Sequence, residues 1–169
     1  PILELNNIDQ IALQYESIGE YFKTLKLFSE ILGNEEKYQE VYNKVKKDVN
    51  RVIAKVPKDK EPSVLLLFGS TKSVKVKTQF STVGSMLKDL GARNIAYDPR
   101  LTTDQMETFS MERVLKEDPD FIFVQTMGDD IALALDRVRQ DVESNPAWSG
   151  LTAVKEGRYF VLPKDLYLY

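Results

Sequence analysis

Cysteine and histidine are both absent from this 169-residue chain. Without cysteine there are no disulfides, no thiolate nucleophile and no Cys-type zinc site. Without histidine there is no Ser-His-Asp triad, no imidazole metal site and no imidazole general base. Lys, Asp, Glu and Tyr still offer catalytic chemistry, so enzymes are disfavoured rather than excluded. A basic excess is also missing: the net charge is −3, which argues against a nucleic-acid partner. No apolar run approaches the ~18 residues of a membrane span, and no signal-peptide pattern is visible. The start, Pro1-Ile2-Leu3, and the end, Leu166-Tyr167-Leu168-Tyr169, are abrupt, as in a piece of a longer chain.

What is present is an ordinary globular composition, with 43% hydrophobic residues. Ser17 and Glu20 form a capping box ahead of a helical stripe (Ile18, Tyr21, Phe22, Leu25, Phe28, Leu32) that Gly33 stops. Asn34 caps a second helix whose stripe runs from Tyr38 through Val41, Tyr42, Val45, Val49 and Val52 to Val56, ended by Pro57. That is roughly twenty residues, or about 30 Å, with one face expected to lie along a large body.

Beyond a charged linker, Lys58 to Pro62, the pattern changes. The continuous apolar runs Val64 to Phe68 and Phe121 to Val124 read as strands buried on both faces. Asn94 to Tyr97 and Tyr159 to Leu162 read as further strands. Helices are predicted from Thr82 to Leu90, after Ser110, from Asp129 to Glu143 and around Trp148. Alternating strands and helices predict an α/β fold: a doubly wound, mostly parallel sheet with helices on both faces, preceded by the long helix. The expected division is 1–33, 34–61 and 62–169.

Ligands of such sheets bind beyond the carboxyl ends of the strands. The stretch Ser70 to Ser81 reads as a loop there, and its Lys72, Lys75 and Lys77 can line an anion site; a solvated basic loop is the plainer alternative. The spacing around Gly69 and Lys72 does not fit a phosphate-binding loop. In the loop after the second buried strand, Gln125 and Met127 are placed to touch a ligand, Gly128 suits a tight turn and Asp129 a helix cap. Asp129 and Asp130 together could bind Mg²⁺, but adjacent acids at a helix start more often complement its dipole. Arg100 lies in a third loop, Tyr97 to Phe109. Trp148 reads as core. Glu112, in the first turn of its helix, suits the dipole and is also a natural partner for an arginine on another protein.

Three ordered segments carry a family likeness. Thr82 to Ala96 (TVGSMLKDLGARNIA), Phe109 to Val124 (FSMERVLKEDPDFIFV) and Asn145 to Pro163 (NPAWSGLTAVKEGRYFVLP) resemble three stretches of the class III substrate-binding proteins of ABC importers, which carry ferric siderophores, haem and cobalamin. The resemblance implies no catalysis and no cofactor. Its ligand would be a ferric chelate, haem or cobalamin; lysines favour an anionic chelate, and the lack of His and Cys disfavours axial haem ligation from this part of the protein. It implies Glu112 as the acid that docks to a membrane permease, and cleft contacts from the Lys72 to Lys77 region. It further implies a monomer, extracytoplasmic or periplasmic, held by a lipoprotein anchor or led by a signal segment outside this sequence. A first lobe would precede this chain and a final helix would follow its last strand. The alternatives are a fragment of a doubly wound α/β enzyme without an identifiable active site, and a bare interaction domain.

Overall fold

The computed structural model describes residues 5–6, 8–96 and 106–166. The chain forms two compact units, Pro1–Val49 and Asn50–Tyr169.

In the first unit, helix α1 (Ile18–Leu32) starts at Ser17, whose hydroxyl accepts from the Glu20 N–H, and ends at Gly33 in the left-handed region. Helix α2 (Glu35–Ile53) is unbroken, and its Tyr42 meets Phe22 of α1 edge-on at 4.6 Å between ring centres. None of its residues is fully buried. The expected stripe is therefore only partly covered: Tyr38, Val45 and Val49 are half-buried, and Val52 is 53% exposed.

The second unit is built on a six-stranded sheet, ordered β4-β2-β1-β5-β6 with β3 also beside β1. The strands are β1 (Ser63–Gly69), β2 (Val74–Lys77), β3 (Arg93–Asn94), β4 (Met106–Thr108), β5 (Phe121–Thr126) and β6 (Tyr159–Val161). β1 pairs in parallel with β3 and β5, and β5 with β6; β2 runs antiparallel to β1 and to β4. The sheet is thus mixed. The stretch Ser70 to Ser81, expected as a loop, is instead a tight turn followed by β2. Its Val74-Lys75-Val76-Lys77 alternation is a half-buried strand, with both valines buried and Lys75 exposed.

The registers fix two faces. Leu65 and Leu67 of β1 stand beside Ile122 and Val124 of β5, and Val76 of β2 beside Leu67. All five belong to one buried cluster with Val114, Val138, Val142, Trp148, Leu151 and Ala153. These bring in α4 (Met111–Glu117), α5 (Ile131–Val138) and α6 (Thr152–Lys155). The helix expected from Asp129 to Glu143 is shorter: it starts after Asp130, which rather than Asp129 accepts from the Leu133 N–H, and a wider π-type turn takes over from Arg139 to Glu143. Trp148 is core, as expected, edge-on to Tyr159 at 5.7 Å. On the opposite face the same registers line up Val64, Leu66 and Phe68 with Phe121, Phe123 and Gln125.

Helix α3 (Thr82–Asp89) begins at Ser81, whose hydroxyl accepts from the Gly84 N–H while donating to the Thr78 carbonyl. A Cβ on Gly84 would stand 1.9 Å from that carbonyl oxygen. Glycine at this position is what lets the end of β2 lead so closely into the helix.

Candidate functional site

β1, β5 and β6 run in parallel, so their carboxyl ends share one edge of the sheet. The residues gathered there come from three sources. The turn after β1 presents Lys72, exposed, held in shape by Ser70, whose hydroxyl accepts from the Lys72 and Ser73 N–H groups. β2 enters from the same edge and places Lys75 beside Phe68. β5 ends in Gln125, Thr126 and Met127, and the Met127 N–H donates to the Gly69 carbonyl at 2.9 Å, tying the two loops together.

One row crosses the sheet at this level. Thr108 of β4 pairs with Lys75, Lys75 with Phe68, and Phe68 with Gln125. Residues in register share a face, so Lys75, Phe68 and Gln125 point to the same side. Lys77, two residues beyond Lys75, projects to that side too, and its ammonium lies 4.6 Å from the Phe68 ring centre. Such a contact helps hold a cation in place.

The polar groups here are incompletely matched. Lys72 and Lys75 make no ion pair among the described residues. Gln125 is 6% exposed, yet its Oε1 is buried without a hydrogen-bond partner among the described residues. Buried polar atoms in native proteins are nearly always satisfied, so an orphan calls for an explanation. Met127 is 51% exposed at the lip. Gly128 takes φ 99, a backbone conformation that side chains resist, and Lys164 from beyond β6 donates to its carbonyl at 2.8 Å.

Of the residues singled out from sequence, Lys72, Lys75, Gln125 and Met127 thus lie on this edge, and Lys77, at the inner end of β2, reaches toward it over the Phe68 ring. Arg100 lies outside the described residues. Glu112 is elsewhere, exposed in the first turn of α4, with no ion pair among the described residues. Phe68 and Lys164 carry no distinguishing signal in the sequence: Phe68 is one more apolar residue of a buried run, and Lys164 bonds a loop 36 residues away.

The opposite edge is finished differently. Asp120, ahead of β5, accepts from the Ser63 N–H at 2.7 Å and the Ser63 hydroxyl at 2.8 Å. These bonds, the N–H first, hold its carboxyl below the ordinary carboxylate range. Asp118 accepts from the Thr152 hydroxyl and N–H, and is lowered by them in that order. A groove of about 560 Å³ opens at this end between Val56, Pro57, Pro62, Phe121 and Arg158. Its guanidinium is occupied: Arg158 donates to the Asp120 carbonyl and to Glu156, and lies over Phe121. Among the described residues no group of three or more acids could hold a metal ion, and no helix is long and apolar enough to cross a membrane.

The family model "Periplasmic binding protein" matches residues 3–166. The chain belongs to the periplasmic binding protein family. These are transport components, not enzymes, so the enzyme-fragment alternative falls. Among periplasmic binding proteins the chain is similar to the Fe(3+)-citrate-binding protein YfmC of Bacillus subtilis, 26% identical over 148 residues, covering 86% of this chain and 44% of that protein. It is also similar to the iron-uptake system-binding protein of the same organism, 27% identical over 145 residues, covering 85% and 45%. Its fold is that of an ABC transporter substrate-binding protein from Listeria monocytogenes: TM-score 0.84 at 22% identity, over 98% of this chain and 63% of that one. The chain therefore spans less than half the length of the two Bacillus relatives.

Proposed function

We propose that this chain is part of the substrate-binding component of an ABC importer that captures an iron complex and hands it to a membrane permease. The observation carrying this reading is the cationic carboxyl edge. Lys72 sits in the turn after β1 and Lys75 follows on β2, neither with an ion pair among the described residues; Lys77 rests on Phe68, and all belong to a chain whose Bacillus relatives are named for binding ferric citrate and for iron uptake. An anionic ferric chelate meets such an edge through charge-assisted hydrogen bonds, which are stronger than neutral ones. In this reading residues 62–169 form one lobe, 34–61 the connection to it and 1–33 the end of another. The protein works outside the cytoplasm as a monomer, tethered by a lipid anchor or free in the periplasm. Glu112 is the permease-docking acid: it is exposed, at a helix start, and without an intramolecular cation among the described residues.

The test is a thermal-shift screen of the full-length polypeptide against ferric siderophores, ferric citrate, haemin and cobalamin. A ligand that binds only the folded state raises the melting temperature. Stabilisation by a ferric chelate supports the reading; stabilisation by none of the four classes sinks it.

A further inference from the structure

Resting on the reading of the carboxyl edge as an iron-complex site, we propose that Gln125 is a specificity-determining residue. Its unpartnered carboxamide oxygen takes a hydrogen-bond donor of the bound complex, so the cargo is a chelate that presents amide N–H or hydroxyl groups beside its anionic charge.

Lys72 and Lys75 are donors only and can satisfy a chelate's anionic oxygens, but nothing that itself donates. Gln125 is in register with Phe68, which is in register with Lys75, so its carboxamide projects on the same face of the sheet as the lysine. Its Oε1 has no partner among the described residues, although the residue is 6% exposed. An acceptor left in that state costs free energy in the ligand-free chain. The side chain makes no hydrogen bond among the described residues, so turning the carboxamide toward the edge breaks none. A bound donor would return what the orphaned acceptor costs. A ligand whose periphery holds only carboxylates gains nothing from this oxygen and is held by the lysines alone.

Gln125→Met, close in shape but without the orphan, gives a test in which stability and affinity move in opposite directions. Three measurements are made on full-length wild type and variant: melting temperature without ligand, affinity for the ferric complex of an amide-linked tris-catecholate siderophore, and affinity for ferric citrate. Removing an unsatisfied acceptor should raise the ligand-free melting temperature, by about 2–4 °C for a chain of this size. The siderophore should bind about 10-fold more weakly, the loss of one buried hydrogen bond, and ferric citrate about as before. A fall in melting temperature, or failure to fold, would show that Gln125 is satisfied and structural, overturning the proposal. Equal weakening for both complexes, or for neither, overturns it too. A wild type that binds ferric citrate but not the siderophore refutes the donor-bearing cargo and leaves the iron-complex reading standing. Binding of neither, with haemin and cobalamin also inert, removes the iron-complex reading and this inference with it.

Discussion

At the amino ends of β1 and β5, Asp120 closes the Ser63 N–H and hydroxyl, Arg158 bonds the Asp120 carbonyl, and Asp118 caps α6 through Thr152. At the carboxyl ends of the same strands, two lysines make no ion pair and a buried glutamine oxygen has no partner among the described residues, and a methionine is half exposed. The two edges come from the same pair of strands, a few residues apart in each, so they differ by design of the sequence rather than by topology. Hydrogen bonds that are complete stabilise the fold. Groups left incomplete cost stability, and under the proposed function a bound ligand completes them.

The comparison breaks most visibly at Asp120. Asp120→Ala leaves the buried Ser63 N–H without its acceptor and should cost about 2 kcal/mol. That is a fall in melting temperature of roughly 4–8 °C, with affinity for a ferric siderophore unchanged at the far edge. A calorimetric scan and a titration of the same preparation decide it.

Acid should act on the same edge. Asp118 and Asp120 are both held below their ordinary carboxyl range. A carboxyl depressed in the folded state binds its proton more readily once unfolded, so its contribution is present above the unfolded value, near pH 4, and is lost as pH falls below it. The expected outcome is a melting temperature flat from neutrality to about pH 5 and falling below pH 4. In Asp118→Asn/Asp120→Asn protein that fall should be shallower. An equally steep fall in the variant would place the acid sensitivity elsewhere.

Glu112 should give the smallest effect on the fold. A first-turn acid contributes about 0.3–1 kcal/mol to its helix, so Glu112→Ala should melt and bind nearly as the parent does. Ligand-stimulated ATPase activity of the reconstituted permease should nonetheless fall, and fall further for Glu112→Arg, which places like charges face to face. Parental stimulation by the Arg variant would leave Glu112 as a surface acid only.

How much of this was legible in the sequence follows from how local each signal is. β1 and β5 announce themselves as unbroken apolar runs, α1 by its cap and its Gly33 stop, and the carboxyl-edge residues by the rule that such sheets bind ligands there. β2 is hidden in what reads as a basic loop, Ser70 to Ser81, although Val74-Lys75-Val76-Lys77 carries the period-2 alternation of a half-buried strand. The short β4, Met106–Thr108, has too few residues to show any period. The shift of the α5 cap from Asp129 to Asp130 is a one-residue choice between like acids. The row from Lys75 through Phe68 to Gln125 had no sequence signal at all. Lys75 and Phe68 pair across a tight turn, but the Phe68–Gln125 pairing joins strands more than 50 positions apart, whose register only the folded sheet sets.

The unequal treatment of the two edges is tested most directly by removing the cations. In the full-length polypeptide, Lys72, Lys75 and Lys77 changed together to Ala should leave the melting temperature within a degree or two of the parent for the two exposed positions, with a slightly larger loss from the Lys77–Phe68 contact. The affinity for a ferric siderophore, read by titration, should fall by about 10-fold or more, since each lost charged hydrogen bond is worth roughly 1.5–3 kcal/mol. Parental affinity in a folded triple variant would contradict the account, because the carboxyl edge would then hold no anionic ligand through its lysines.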